Sequence, residues 1–292
     1  MLLVTDLQPG GTPLRIARTS RALRDAGVEC VVGCLASRGP VSEQLDRDDF
    51  RTFACDAVSS RPFRALAALR QHIRAIQPDL IHATLTHANV AARIVGRQLK
   101  IPVVTATATI ELDRPWHLRL ERWTARCDAA HVVQSETVRA HVIRTLGRDA
   151  GRVFVVPPNI ERLDPVDRAT ARRAIGIADE QFLIAWAGRF DPVKRTELII
   201  DIAAHAPAHW RFVLAGDGPL LVSARQRAAA AGIADRVQLP GWLPNLGQLF
   251  SAADLLVFPS RTEGVPNALL QAMSLGVPAI VSDIAPHREI AD

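Results

Sequence analysis

The chain has no apolar run approaching the ~18 consecutive residues that a membrane-spanning helix needs. Stretches such as Phe182 to Ala187 and Leu255 to Phe258 have the length of buried strands instead. Cysteine is scarce, at four residues (Cys30, Cys34, Cys55 and Cys127), none in CxxC spacing. That fits reduced, buried thiols and excludes a disulfide scaffold or a cysteine metal centre. Cys30 and Cys34 are expected on one strand, too far apart at ~3.3 Å per residue to chelate one ion. The amino terminus, MLLVTDLQPGG, carries no basic residue before Arg15, so no secretory or transit leader is read there and the expected location is cytoplasmic. A complete GxGxxG followed by a suitably spaced acid is missing as well, which argues against a dinucleotide-dependent dehydrogenase. Lysine is almost absent, two residues against 33 arginines. Such charge suits solvation or an anionic surface better than nucleic-acid readout.

What is present points to a large α/β protein. At 292 residues the chain exceeds the ~100–200 of one domain, and 48% apolar with 22% charged residues gives material for a core. The net charge of +5 is unevenly placed: residues 1–160 hold 22 basic against 15 acidic side chains, residues 161–292 hold 13 against 15. The basic first half suits peripheral contact with an anionic membrane surface, at the inner face of the cell membrane. Short β-type runs alternate with helical stretches throughout, the pattern of parallel sheets built from βαβ units. Strands are expected near 2–5, 28–35, 80–83, 102–106, 130–134 and 153–156, then 182–187, 211–215, 237–239, 255–258 and 278–281. The segment VVPPNIERLDPVDR, with paired prolines and charges, reads as a linker. The boundary falls near Ile160, dividing residues 1–160 from 161–292 into two doubly wound lobes.

Several residues carry a bland reading. Phe63, Leu66, Leu69, Ile73 and Ile76 step at helical spacing and are expected to form a core stripe. Trp116, Leu120 and Trp123, beside Arg119, Arg122 and Arg126, are read as core in preference to an interfacial helix on anionic lipid. Asp46 to Asp49 reads as a solvated polar loop rather than a metal-binding DxD. His82 and His87 flank a strand end and could face a cleft; the structural reading is preferred and both stay candidates.

The residues just after strands carry the chemistry, because ligands of open α/β sheets bind beyond the carboxyl ends. Gly188, Arg189 and Lys194 follow the expected strand 182–187. A planar guanidinium and a compact ammonium five residues apart can neutralise a pyrophosphate as its bond to carbon breaks. After strand 255–258 come Glu263, Gly264, Val265, Pro266 and Asn267, with a helix expected over 266–275 and Gly276 beyond its end. The amino end of that helix is an anion site, and Glu263 can accept sugar hydroxyls. Gly216 and the Gly241-Trp242 turn follow two further strands, and Gly10-Gly11 follows the first. Each glycine allows close backbone approach.

Taken in order, TDLQPGG, HATLTHANVAARIVGR, VVPPNIE, AGRFDPVKR, FVLAGDGPL, DRVQLPGW and SAADLLVFPSRTEGVPNALLQAMSLGVPAIVSD make the chain resemble the family 4 glycosyltransferases over nearly its whole length. The resemblance implies the two-lobed GT-B fold and a retaining hexosyl transfer from a nucleoside diphosphate sugar, a co-substrate, to a saccharide or lipid-linked acceptor hydroxyl. With Arg189, Lys194 and the helix amino terminus to stabilise the departing diphosphate, no metal and no other cofactor is expected. Arg189 and Lys194 would hold the diphosphate, Glu263 the transferred sugar, the 264–267 backbone sugar and phosphate, and the Gly10-Gly11 loop would close from the acceptor lobe. Gly188, Gly216, Trp242 and Gln271 would complete the donor pocket. Three departures stand out: Gln271 replaces the family's second Glu, Ala108 stands where many relatives carry His or Arg, and relatives continue past HREIAD, so the resemblance implies a fragment with an incomplete second lobe. The first and third keep open a non-catalytic nucleotide-sugar-binding protein. A GT-B sugar-nucleotide epimerase or phosphorylase is the other alternative.

Overall fold

The computed structural model describes residues 1–8, 10–58, 62–108, 115–158, 160 and 162–291. It divides into two compact units, Met1–Asn159 and Ile160–Asp292. In the first, strands β1 (Leu2–Val4), β2 (Val31–Cys34), β3 (Arg51–Ala54), β4 (Ile81–Thr84), β5 (Val103–Thr107), β6 (Ala130–Val133) and β7 (Val153–Val155) form a sheet ordered β3-β2-β1-β4-β5-β6-β7. Helices α1 (Gly11–Asp25), α2 (Pro40–Arg47), α3 (Pro62–Ile76), α4 (Thr86–Leu99), α5 (Pro115–Thr124) and α6 (Glu136–Leu146) connect them. The second unit holds β8 (Phe182–Ala187), β9 (Trp210–Ala215), β10 (Val237–Gly241), β11 (Leu255–Phe258) and β12 (Ala279–Val281), ordered β10-β9-β8-β11-β12. Its helices are α7 (Arg168–Ala174), α8 (Thr196–His205), α9 (Leu221–Ala230), α10 (Gly247–Ala252), α11 (Asn267–Ser274) and α12 (Ala285–Ala291). Every strand pair is parallel. Both sheets reverse direction of winding beside their first strand, between β1 and β4 and between β8 and β11, as doubly wound sheets do.

Why these strands are central follows from their composition. Five of the six β8 residues are buried, because a parallel strand covered by helices on both faces must be apolar throughout. By contrast, β3 buries only Phe53 and exposes Arg51; a four-residue polar edge strand carries no apolar run and is absent from the sequence reading. The expected strand 28–35 begins only at Val31, since Val28 is exposed, so Cys34 lies on β2 and Cys30 precedes it. All four cysteines are free. Burial raises the thiol pKa of Cys34 to about 11 and of Cys55 to about 12, with nearby charges adding to both, so neither is a nucleophile at neutral pH.

Three other expectations change. Leu69 and Ile73 are core, with Leu66 and Ile76 packed against it, but Phe63 is 83% exposed at the start of α3. Asp46 lies within α2 rather than a loop, bound by Arg38 and by the Thr52 hydroxyl at 2.5 Å, while Asp48 takes Arg21. The third is α5: Trp116, Leu120 and Trp123 are 52%, 37% and 67% exposed. The core reading of that stripe fails because α5 turns its polar side inward.

What α5 buries is a charge cluster. Arg93 of α4, fully buried, donates to Asp128 (2.9 Å), Glu121 (2.6 Å), Thr124 (2.9 Å) and Thr105 (3.0 Å). Arg148 donates to the same two carboxylates at 2.9 and 3.3 Å, and the Asn89 amide donates to Glu121 at 3.1 Å. Two cations thus face two anions. The Thr105 hydroxyl gives its one proton to Asp128 at 2.5 Å, so the His131 Nδ1, 2.7 Å away, must be the donor to Thr105. Its Nε2 is left to accept from Thr107 at 3.0 Å. Burial, then Arg148 and Arg93, push the His131 pKa down to about 2 and keep the ring neutral. His82 is likewise pushed down to about 4, by burial, Arg15 and the amino terminus.

These histidines set a pH dependence. In the unfolded chain both take up a proton near pH ~6.5, whereas the folded chain leaves them neutral until their depressed values are reached. The unfolded state thus binds more protons, and their stabilisation, complete above pH ~6.5, is lost as pH falls through this window. Urea unfolding between about pH 6.5 and about pH 5 is expected to show stability falling by up to about 1.4 kcal/mol per pH unit for each histidine. His131→Asn should remove its own share of that slope; an unchanged slope would show that His131 is not held neutral.

Candidate active site

In the second unit the topological switch lies between β8 and β11, so the loops after these two strands face the crevice where doubly wound sheets take ligands. They are the loops carrying Lys194 and Glu263. The Arg261 amide donates to the Val193 carbonyl at 2.7 Å and ties one loop to the other. Across that tie the Lys194 Nζ donates to Glu263 Oε1 at 2.5 Å, with side chains 19% and 6% exposed. Lys194 also stands 5.6 Å above the ring of Phe258, the last residue of β11, a placement that favours a cation. Arg195 follows with a left-handed φ of 52°, unusual for a side chain of this size and of the kind that clusters at functional loops.

The helix after Glu263 begins at Asn267, one residue later than expected, with the buried Pro266 as its cap residue. It ends at Ser274; Gly276, at φ 76°, donates to Met273 and Val277 donates to Ala272, a closed glycine C-terminus. Its first amides have no partner within the helix. Two buried polar atoms of this strand–loop–helix segment have no protein partner among the described residues, the Asn267 Oδ1 and the Ser260 Oγ. Gly264 is buried and Val265 half-buried. Gln271 is half-buried, one turn along α11 from Asn267.

Arg189 behaves differently from Lys194. Its side chain is 72% exposed and only loosely paired with Asp191, at 3.9 Å, so the two cations do not form a closed clamp. Glu263 is not an open acceptor either, since one oxygen is taken by Lys194. Gly188 lies against Trp186, where a Cβ would come 2.9 Å from the indole. Gly216 is fixed more firmly: at φ 139° its Cβ would sit 1.7 Å from the Gly188 carbonyl oxygen, so only glycine lets these two loops touch. Trp242, just after β10, is 54% exposed.

In the first unit the switch lies between β1 and β4. Gly10 precedes α1 in extended conformation and Gly11 opens it. A Cβ at Gly11 would meet nothing within 4 Å, so packing does not require glycine there. Leu85, after β4, holds φ 79°, a strained value for a bulky residue. His87 is exposed and packs edge-on against Trp116 and His117. Ala108 is buried. Pro9, Asn159, Glu161 and Asp292, which belong to motifs quoted above, lie outside the described residues, as does the stretch 109–114. Sequence reasoning missed the buried cluster around Arg93 altogether, because its members are scattered over 89–148 in no recognisable spacing.

Two Rossmann-ordered sheets, the second with a cation, a carboxylate and a helix amino terminus at its switch point, define the class of GT-B glycosyltransferases. The chain belongs to the glycosyl transferase 4-like family, whose profile matches residues 10–159, and residues 167–292 match the glycosyl transferases group 1; it is a nucleotide-sugar glycosyltransferase. It is 28% identical to the D-inositol 3-phosphate glycosyltransferase of Nocardia farcinica, over 94% of this chain and 70% of that one. It is 29% identical to the 2-deoxystreptamine N-acetyl-D-glucosaminyltransferase of Streptomyces fradiae, over 92% and 73%. In fold it is similar to HepE from Anabaena, solved with UDP-glucose, at TM-score 0.84 and 20% identity over 100% of this chain and 82% of that one.

Proposed function

We propose that this glycosyltransferase moves a hexose from a nucleoside diphosphate sugar to a hydroxyl of a saccharide or lipid-linked acceptor, with retention at the anomeric carbon and without a metal ion or other cofactor. The observation that carries the reading is the Lys194–Glu263 pair set beside the amino end of α11. An arriving diphosphate competes with Glu263 for the Lys194 ammonium. Once Lys194 and the α11 amides hold the phosphates, the Glu263 carboxylate is released to accept hydrogen bonds from the sugar. Arg189, exposed and loosely held, can swing onto the phosphate oxygens with little loss of existing contacts. Together these groups supply the charge that stabilises the departing diphosphate. Gly188, Gly216, Trp242, Gly264, Val265, Pro266, Asn267 and Gln271, all of the second unit, complete the donor pocket in this reading. Two features of the relatives support the donor class: HepE was solved with UDP-glucose, and an Escherichia coli relative, 25% identical, is a UDP-Gal-dependent galactosyltransferase acting on a diphosphoundecaprenol-linked sugar.

Among the described residues no helix is long and apolar enough to cross a membrane. We propose instead that the basic first unit makes a peripheral contact with an anionic membrane surface, at the inner face of the cell membrane, where a lipid-linked acceptor would be met.

Calorimetry of UDP-glucose and other nucleoside diphosphate sugars with a chelator present tests the metal-free donor site. Binding is expected to persist; loss of affinity that magnesium restores would show that a metal, not Lys194 and Arg189, neutralises the diphosphate.

A further inference from the structure

Helix α5 is built inside out. Its one acid, Glu121, points inward and is bound by Arg93, Arg148 and Asn89, while Trp116, Leu120 and Trp123 point outward. Asp128 is consumed the same way. Outward-facing charge is therefore of one sign: Arg119, Arg122 and Arg126 are exposed, and Arg97 and Lys100 join them from the end of α4. Neither α4, α5 nor the turn Ala125–Cys127 carries an exposed carboxylate. Between these elements lies a cavity of about 360 Å³, lined by Arg97, Gln98, Trp123, Arg126 and Cys127 over a floor made by Arg93.

We propose that this cavity binds the phosphate headgroup of an anionic phospholipid, an inference that rests on the membrane contact proposed above and names its site. The floor contributes no free donor, since the Arg93 guanidinium is already bonded through all three nitrogens. The open donors are on the rim. Arg97 reaches only the Cys127 sulfur at 3.7 Å, and Arg126 has no partner among the described residues. Arg97 and Arg122 stand in the last turns of their helices and offset the dipoles there. Arg126 sits in the three-residue turn Ala125–Cys127 that follows α5. Two guanidinium forks can take the oxygens of one phosphodiester, and an exposed indole beside them sits well at headgroup depth. The location separates this site from the reaction: Ile101 bonds back to Gly96 just before β5 begins, so the end of α4 lies at the amino edge of the sheet, opposite the carboxyl edge where substrates of such sheets bind.

The test uses the full chain and short-chain phosphatidylglycerol kept below its micelle concentration, with short-chain phosphatidylcholine and inorganic phosphate as comparisons. Phosphatidylglycerol monomers are expected to bind and to shift tryptophan emission to the blue, whereas phosphatidylcholine and free phosphate should bind at least about tenfold more weakly. Arg97→Gln/Arg126→Gln should abolish monomer binding, while Arg119→Gln/Arg122→Gln, which removes the same charge outside the cavity, should retain it. On phosphatidylcholine vesicles containing phosphatidylglycerol, each double variant should lose binding, the cavity pair by about tenfold more. Equal losses from both pairs, or tight binding of free phosphate, would overturn a lipid-headgroup site. Absence of vesicle binding would overturn the membrane contact as well. Hydrolysis of a soluble nucleotide-sugar donor, measured alongside, should be unchanged in both double variants, so failure of the donor reading is visible separately.

Discussion

Arg93→Met is expected to destabilise the first unit by about 3–5 kcal/mol, the loss seen when one partner of a buried ion-pair network is removed. The guanidinium is fully buried and holds Glu121, Asp128, Thr105 and Thr124 at once. Without it Arg148 alone faces two carboxylates that are 4–5% exposed. One anion is then uncompensated in a place water does not reach, and the cheapest escape is local unfolding of α5. The comparison is Arg227→Ala, which breaks an equally short pair with Asp201, but one whose side chains are 50% and 45% exposed; that change should cost less than about 1 kcal/mol. Urea unfolding with hydrogen exchange read separately in α4, α5 and β5 decides the matter. Similar losses in the two variants would mean that the cluster is no more than a surface network. The same variant should loosen the exposed face of α5, because the charges inside are what hold Trp116 and Trp123 outside.

The cluster also shows where sequence stops being informative. Strands β8 and β11 were legible to the residue because they are buried on both faces and so read as unbroken apolar runs between turn residues. The loops that follow them could be located for a related reason: with the strands placed, the order of a doubly wound sheet puts them at its ligand-binding edge. Helix α5 misled because Trp116, Leu120 and Trp123 have the spacing of a core stripe. Nothing local distinguishes a stripe that faces the core from one that faces outward when the opposite side carries Glu121, whose partners Arg93 and Arg148 lie about 28 residues away on either side. Phe63 misled in the same manner at a helix start. The Lys194–Glu263 contact was hidden by a separation of 69 residues, although each member was a candidate alone. Reading them separately, Lys194 as a donor to phosphate and Glu263 as an acceptor from sugar hydroxyls, missed that each is the other's partner.

That pairing changes what mutation of the site should do. Glu263→Gln keeps the shape of the side chain but removes the charge that holds Lys194, leaving the ammonium free for a diphosphate. Affinity for the free nucleoside diphosphate should therefore stay within a fewfold of the unmodified chain or rise. Transfer should suffer much more: a hydrogen bond to a charged acceptor contributes about 1.5–3 kcal/mol, so sugar-transfer kcat/KM should fall by roughly tenfold to a hundredfold. Lys194→Ala acts the other way. In the proposed reading it removes the best-placed cation for a diphosphate, and it leaves the Glu263 carboxylate, 5% exposed, without its partner. Diphosphate affinity, transfer and melting temperature should then all drop together. In the double variant Lys194→Ala/Glu263→Gln the loss of melting temperature should be largely recovered, since no buried charge remains, while transfer stays low. Titration of the free diphosphate and steady-state rates on the three folded variants give the answer. If Glu263→Gln weakens diphosphate binding as strongly as Lys194→Ala does, the pair works as a single phosphate-binding unit and Glu263 has no separate part in holding the sugar.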